Sequence, residues 1–235
     1  MDEEQLLGAG VTQVARAGDT VRRTASRWTP AVHELLRGLR RAGFTEAPEP
    51  LGFDEQGREV LSFVPGEVTD DPRTEAAVVS AARLLRRFHD ASATLVDRLP
   101  RTGWQFPALE PAEVIVHGDF APYNLAFAGP DAVGMIDFDT ARPGPRWWDI
   151  AYGAYRFSPL PDFAHRANLF CTAYGRELAE PELLPGRVVR YLRWLAGLIR
   201  EQAAAGHPAF SQHLAEGHDL GYLADAERIA GITLC

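Results

Sequence analysis

His117-Gly118-Asp119-Phe120-Ala121-Pro122-Tyr123-Asn124, followed by Met135-Ile136-Asp137-Phe138-Asp139, is the stretch on which the reading of this chain turns. It places one carboxylate, an amide oxygen five residues on, and a second carboxylate thirteen residues beyond that. Such a set suits a site where one carboxylate accepts or orients the proton of an attacking hydroxyl, while a neutral and a charged oxygen hold a hard cation against phosphates. Asp119, Asn124 and Asp137 are the candidates for these three roles, in that order. The spacing becomes intelligible if 125–127 and 133–136 form a hairpin across Gly129-Pro130-Asp131, because the returning strand then carries Asp137 back beside Asn124.

Taken singly, the pieces are ordinary. An aspartate in an H-x-D loop commonly caps its own turn. His-x-Asp is also two-thirds of a two-His-one-carboxylate iron site, which would need a distant histidine such as His165 or His207. An iron oxygenase needs strands on both sides of that motif, whereas the sequence beyond Trp148 turns helical. The ordered set of His117, Asp119, Asn124, Asp137 and Asp149 favours phosphate chemistry over either alternative.

The H-x-D-x-x-x-x-N loop and the apolar-Asp-Phe element resemble those of kinase-like phosphotransferases. Gly118 stands where protein kinases carry arginine, and the run Ile136-Asp137-Phe138-Asp139-Thr140-Ala141-Arg142-Pro143-Gly144-Pro145-Arg146-Trp147-Trp148-Asp149-Ile150-Ala151 is similar to the aminoglycoside phosphotransferase and choline kinase family. In that family "HGD…N" precedes "IDF/W-D/E…A…G…D-(L/I)-A", and Leu84-Leu85-Arg86-Arg87-Phe88-His89 resembles its "LARLH" helix. The resemblance covers nearly the whole chain. It implies an α+β, bilobal, protein-kinase-like fold: a small β-rich nucleotide-binding lobe with one helix over 1–64, a hinge at 65–69, and a larger, mainly helical lobe over 70–235. It implies ATP or GTP with Mg²⁺, and a small-molecule hydroxyl acceptor such as an antibiotic, sugar or amino alcohol. Asp119 is then the catalytic carboxylate, and Asn124 and Asp137 are the metal ligands. Asp139 falls where the family places a metal- or substrate-touching acid, and His117 and Asp149 organise the loop.

The front half follows the family pattern less closely. Gly8 and Gly10 are the glycines available for a loop over the phosphates. The strand expected to supply a phosphate-binding lysine carries Arg22-Arg23, and arginine's fork differs in geometry and reach. The partnering acid on the following helix is Glu34, or the site is faced by His33 one residue earlier. Leu61, Ser62, Phe63 and Val64 precede Pro65-Gly66 and form the expected base-binding segment at the hinge.

Short strands at 11–16 and 20–24, a helix opened by Thr29-Pro30, and strands at 51–53 and 59–64 make up the first lobe. Asp71-Pro72 reads as the start of a long helix reaching Ala91, and further helices are expected at 148–157, 162–174, 186–205 and, more weakly, 210–229. With 46% apolar and 24% charged residues, the chain has a globular composition. Its net charge is −8, and all 24 of its basic residues are arginine. No basic, aromatic-rich patch points to nucleic acid. An acidic start and the lack of any apolar run near twenty residues argue against a signal peptide or membrane span, so the cytoplasm is the expected compartment. Cys171 and Cys235 have neither metal-type nor disulfide-type spacing. In the family the chain resembles, substrates lie against the C-terminal helices, which makes Asp162, Glu201, Glu216 and Asp219 available to a cationic amine, although ordinary solvated charge is the stronger reading of each. Nothing in the sequence fixes the oligomeric state. A second functional reading, motivated by Arg22-Arg23 and the short chain, is a catalytically impaired relative that sequesters a ligand or toxin as an immunity-type protein.

Overall fold

The computed structural model describes residues 4–7, 14–70 and 74–234. The first lobe is built on an antiparallel sheet of β1 (Gln5–Leu7), β2 (Val14–Ala17), β3 (Thr20–Arg23), β4 (Pro50–Phe53) and β5 (Glu59–Ser62), in the order β1-β2-β3-β5-β4. The β2–β3 turn passes through Gly18 at φ 59°, the left-handed region that a two-residue hairpin turn requires. Asp54 closes the β4–β5 turn by accepting from the backbone N–H groups of Gln56 and Arg58 at 3.0 and 2.9 Å.

Between β3 and β4 runs α1 (Thr29–Arg41), with proline in its first turn, Arg40 and Arg41 in its last, and Gly43 beyond its end at φ 86°. Each feature matches the polarity of a helix: a residue without N–H at the start, cations near the carbonyl end, and a left-handed exit. Val32, Leu35, Leu36 and Leu39 are buried on one face, in a core shared with Leu61 of the sheet. The expected apolar stripe is therefore the packing stripe.

The larger lobe opens with α2 (Glu75–Ala93), capped by Thr74, whose hydroxyl accepts from Ala77 N. The cap proposed at Asp71-Pro72 lies outside the described residues. Then come β6 (Val114–Val116), β7 (Leu125–Ala128), β8 (Asp131–Met135), β9 (Arg142–Gly144) and α3 (Trp147–Phe157). After these, α4 (Phe163–Tyr174), a short α5 (Arg176–Ala179), α6 (Leu184–Ala204), α7 (Pro208–Ala215) and α8 (His218–Ile229) complete the fold. The weak segment expected over 210–229 is two helices, separated at Gly217 with φ 76°. Two antiparallel pairs, β6–β9 and β7–β8, carry the loops that matter, and β9 was not foreseen because Pro143 interrupts any strand pattern.

The lobes meet along the segment after β5. Glu67 and Phe127 exchange backbone hydrogen bonds at 2.8 and 2.9 Å. A Cβ on Gly134 would fall 2.2 Å from Val64 Cγ1, so a residue without a side chain is what lets the connector lie on β8. Among the described residues, no helix is long and apolar enough to cross a membrane.

Candidate active site

β6 is wholly buried and delivers His117, Gly118 and Asp119 to the inter-lobe side of the large lobe. Gly118 adopts φ 85°, and a Cβ there would lie 2.5 Å from the Thr140 carbonyl oxygen, so both conformation and space exclude a side chain. Thr140 in turn donates its hydroxyl to the His117 carbonyl at 2.8 Å. Asp149, near the start of α3 and buried, accepts from the backbone N–H of His117 at 2.6 Å and of Gly118 at 2.8 Å. It also accepts from His89 Nε2 at 3.0 Å. The loop is thus held from beneath by one carboxylate.

His117 donates from Nε2 to the Ile136 carbonyl at 2.9 Å, while its Nδ1 accepts from Asp119 N at 3.3 Å, which fixes the ring as the Nε2–H tautomer. Ile136 N donates to the Asn124 carbonyl at 2.9 Å, and Asn124 Nδ2 donates to Asp119 Oδ2 at 2.9 Å. Asp119, Asn124 and the residue preceding Asp137 are therefore joined in one hydrogen-bonded chain. Tyr123 completes the surroundings of Asp119 by donating its hydroxyl to Oδ1 at 2.7 Å. Burial pushes the Tyr123 phenol well up, and the Asp119 charge adds to this, so it remains a donor.

Asp137 sits at φ 62°, a left-handed conformation that costs a residue with a Cβ about 1–3 kcal/mol. Arg23 helps hold it there: Nη1 donates to Asp137 Oδ1 at 3.1 Å, Nη2 to Asp139 Oδ1 at 2.5 Å, and Nε to Glu59 Oε2 at 2.5 Å. Burial works against the Arg23 charge, but Asp139, Glu59 and Asp137 outweigh it and raise its proton affinity. His33 Nε2 donates to Glu59 Oε1 at 2.8 Å. Burial pushes the Glu59 carboxyl up, but the His33 hydrogen bond and the Arg23 charge outweigh it, and the net shift is downward. Burial also pushes the Asp139 carboxyl up, against Arg23 and with Asp137 adding to the rise.

The front-lobe candidates separate cleanly. Arg23 joins the cluster, whereas Arg22, next to it on the strand, turns to Glu4 at 3.4 Å and Asp54 at 3.9 Å, away from the site. On α1 it is His33 that faces inward. Glu34 is exposed and lines a cavity of about 520 Å³ on a different face of the helix. Glu59 was missed, although it is the cross-strand partner of Arg23 in the β3–β5 register. A charge pair directly opposite on adjacent strands was the available signal. Leu61 and Ser62 lie in the sheet between β3 and β4, with Leu61 buried in the core. Phe63 N donates to Asp19 O at 2.8 Å, so Val64 is the member of this segment whose backbone groups lie outside the ladder. Gly8 and Gly10 lie outside the described residues.

The acids considered for a cationic substrate are mostly engaged. Asp162 pairs with Arg166 at 3.2 Å and Asp219 with Arg200 at 2.7 Å, while Glu216 lies beside His218 at 3.3 Å and Glu201 is exposed. Among the described residues, no group of three or more His, Cys, Asp or Glu is arranged to hold a metal. An oxygen set that includes an amide is a different case: Asn124 directs Nδ2 to Asp119, which leaves Oδ1 as the atom that could meet a metal, and the Asp137 side chain is 52% exposed. Three carboxylates around one guanidinium leave an excess of negative charge that a hard dication fits.

A two-lobed fold with this loop, this hairpin and this helix is that of the kinase-like small-molecule phosphotransferases. The sequence model of the phosphotransferase enzyme family matches residues 19–112 and 95–184, and the chain belongs to that family. The trifolitoxin immunity protein of Rhizobium leguminosarum bv. trifolii is 40% identical over 176 residues, covering 72% of this chain and 67% of that protein. A choline/ethanolamine kinase family protein from Mesorhizobium loti superimposes with a TM-score of 0.67 at 19% identity, over 98% of this chain and 88% of the other. The GDP complex of wild-type aminoglycoside 2'-phosphotransferase-IIIa gives 0.65 at 15% identity, over 97% and 92%.

Proposed function

We propose that the protein transfers the γ-phosphoryl group of ATP or GTP to a hydroxyl of a small molecule, an antibiotic, sugar or amino alcohol, in the cytoplasm where those nucleotides are found. The observation that carries this reading is the hydrogen-bonded convergence of Asp119, Asn124 and the strand end at Asp137, faced by Arg23 from the other lobe. The GDP bound by a structural neighbour of the same fold supports a nucleotide between the lobes. Val64 at the hinge would meet the base, and Arg23, together with the glycines Gly8 and Gly10, would meet the phosphates in place of a lysine. Asn124 and Asp137, with Asp139 beside them, would hold Mg²⁺, which when bound neutralises charge on the phosphate oxygens.

Asp119 orients the acceptor hydroxyl and takes its proton as the oxygen bonds to phosphorus and the nucleoside diphosphate leaves. Tyr123 and Asn124 fix the carboxylate's direction, so that little reorganisation accompanies the transfer. His117 and Asp149 keep the loop in place.

Asp119→Asn tests the assignment. Nucleotide-dependent thermal stabilisation should persist, while turnover on a panel of amines and sugars falls about 10²- to 10⁴-fold. An Asn variant as active as the parent would refute the role given to Asp119. A second reading, a kinase-fold protein that sequesters a ligand or toxin without turnover, is favoured by the relative named as an immunity protein. Nucleotide at about a hundred times its Kd should raise Tm by roughly 5–11 °C in a domain of this size. Flat melting curves in millimolar ATP and GTP with Mg²⁺ would favour the second reading.

A further inference from the structure

Tyr123 joins Asp119 to a second group of side chains. Its hydroxyl donates to Asp119, and the Arg156 guanidinium lies 5.1 Å from its ring centroid. Tyr152 donates to the Tyr123 hydroxyl at 2.9 Å, so two phenols run in series to the carboxylate, with Tyr222 beside them. Tyr152 comes from α3 and Tyr222 from α8, while Tyr191 of α6 stacks on Tyr152 and donates to the Gly118 carbonyl at 2.8 Å. Asp119, Tyr123, Arg156 and Tyr222 are each half-buried, so solvent reaches the group.

Arg156 is the unbalanced member. It makes no ion pair among the described residues, and its Nε is buried without a partner. Asp225, which shares Tyr155 as a neighbour with Arg156, is committed elsewhere: it accepts from the Tyr155 hydroxyl at 2.8 Å and from Arg228 at 3.4 Å. A partly desolvated guanidinium without a counter-ion is costly to maintain, and its planar fork matches a carboxylate or phosphate. The chain's net charge of −8 makes the choice of an unpaired cation at this position more telling.

We propose, resting on the phosphotransferase reading, that the acceptor is an anionic hydroxyl compound whose carboxylate or phosphate pairs with Arg156 while its hydroxyl meets Asp119. Arg156 is then a specificity residue and takes no part in the bond changes. The acceptor proton passes to Asp119, the acceptor oxygen takes the γ-phosphoryl group, and the diphosphate departs. Polycationic amino sugars are disfavoured at this site by the same charge.

A matched hexose series tests this on the full chain: glucuronate, glucose 6-phosphate, glucose and glucosamine, followed by ligand-observed NMR without nucleotide and by phosphoryl transfer with Mg²⁺ and ATP or GTP. Wild type should bind one or both anions in preference to glucose and glucosamine, and the two anions tell a carboxylate from a phosphate preference. Arg156→Ala should weaken that binding about tenfold to a hundredfold, and Arg156→Lys should restore part of it. Binding of neither anion, equal binding by wild type and the Ala variant, or a preference for glucosamine overturns the inference. The binding arm needs no turnover. Arg156-dependent anion binding without any nucleotide response would keep the anion site at Arg156 and sink the phosphotransferase reading on which its acceptor role rests, while turnover on glucosamine would keep that reading and sink the anion preference.

Discussion

At the scale of single residues, the site is organised by charges that had to be paired across the lobes. Arg23 reaches Glu59 on its own sheet and Asp137 and Asp139 on the large lobe, so one guanidinium ties the two halves together. Glu59, fully buried, is the side chain that keeps this arginine and His33 in place. Replacing it by glutamine leaves a buried cation short of its one fully buried counter-charge, and should cost roughly 3–5 kcal/mol in urea unfolding at neutral pH. The pH dependence has a definite sign. Because the folded-state carboxyl titrates below its ordinary value of 4.5, its contribution is fully present above that value and is lost as pH falls through the folded pKa. Asp139 runs the other way, since its raised carboxyl takes up a proton more readily in the folded state. The fall in Tm on acidification below about pH 4.5 should therefore be shallower in Glu59→Gln than in wild type. An unchanged slope would remove Glu59 from the acid response.

At the scale of elements, glycines separate close packing from mere helix weakening. Gly153 in α3 would place a Cβ 2.8 Å from Phe120 and 2.9 Å from Phe170, whereas Gly197 in α6 has nothing within 4 Å. Alanine gains about 1 kcal/mol of helix propensity at either position, but overpacking between two buried rings costs about 1–3 kcal/mol. Gly153→Ala should lower Tm and Gly197→Ala should raise it, by a few degrees each for a chain of this length. Two melting curves suffice, and a Gly153→Ala protein more stable than wild type would show that Phe120 and Phe170 can give way. The same elements show what the sequence could and could not tell. The α1 stripe, the α2 face and the β7–β8 hairpin were legible because periodicity and turn residues act locally. Arg22 and Arg23 were not distinguishable until the register was known, since a one-residue shift reverses the face of a strand. Glu59, His89 and Tyr152 are contributed by segments remote from the 117–124 loop in sequence, and only tertiary packing assembles them at the site.

At the scale of the whole molecule, one chain of hydrogen bonds links three helices to the 117–124 loop, and histidine makes it sensitive to mild acid. Arg146 donates to the Tyr174 hydroxyl at 3.1 Å. That hydroxyl donates to His89 Nδ1 at 2.8 Å, and His89 Nε2 donates to Asp149 at 3.0 Å, which holds His117 and Gly118. The order is forced: Nδ1 must be an acceptor, because Tyr174 has its proton to give and already receives one from Arg146. Protonating His89 would set two donors against each other in a space closed to water. Burial accordingly depresses the His89 pKa below its ordinary 6.5, although Asp149 pulls the other way. A group whose folded-state pKa is depressed contributes stability that is complete above the unfolded value and is lost as pH falls through the folded one. Wild-type Tm should therefore begin to decline below about pH 6.5, well before Glu59 titrates. His89→Gln keeps a donor and an acceptor but cannot ionise, so its Tm, lower overall, should fall less steeply than that of wild type between about pH 6.5 and 5, the remainder coming from His213, which burial also depresses. A parallel decline in both proteins would place the acid sensitivity elsewhere. If it is His89, the loss of stability should be accompanied by faster amide exchange at His117 and Gly118, because their N–H groups depend on the carboxylate that the imidazole positions.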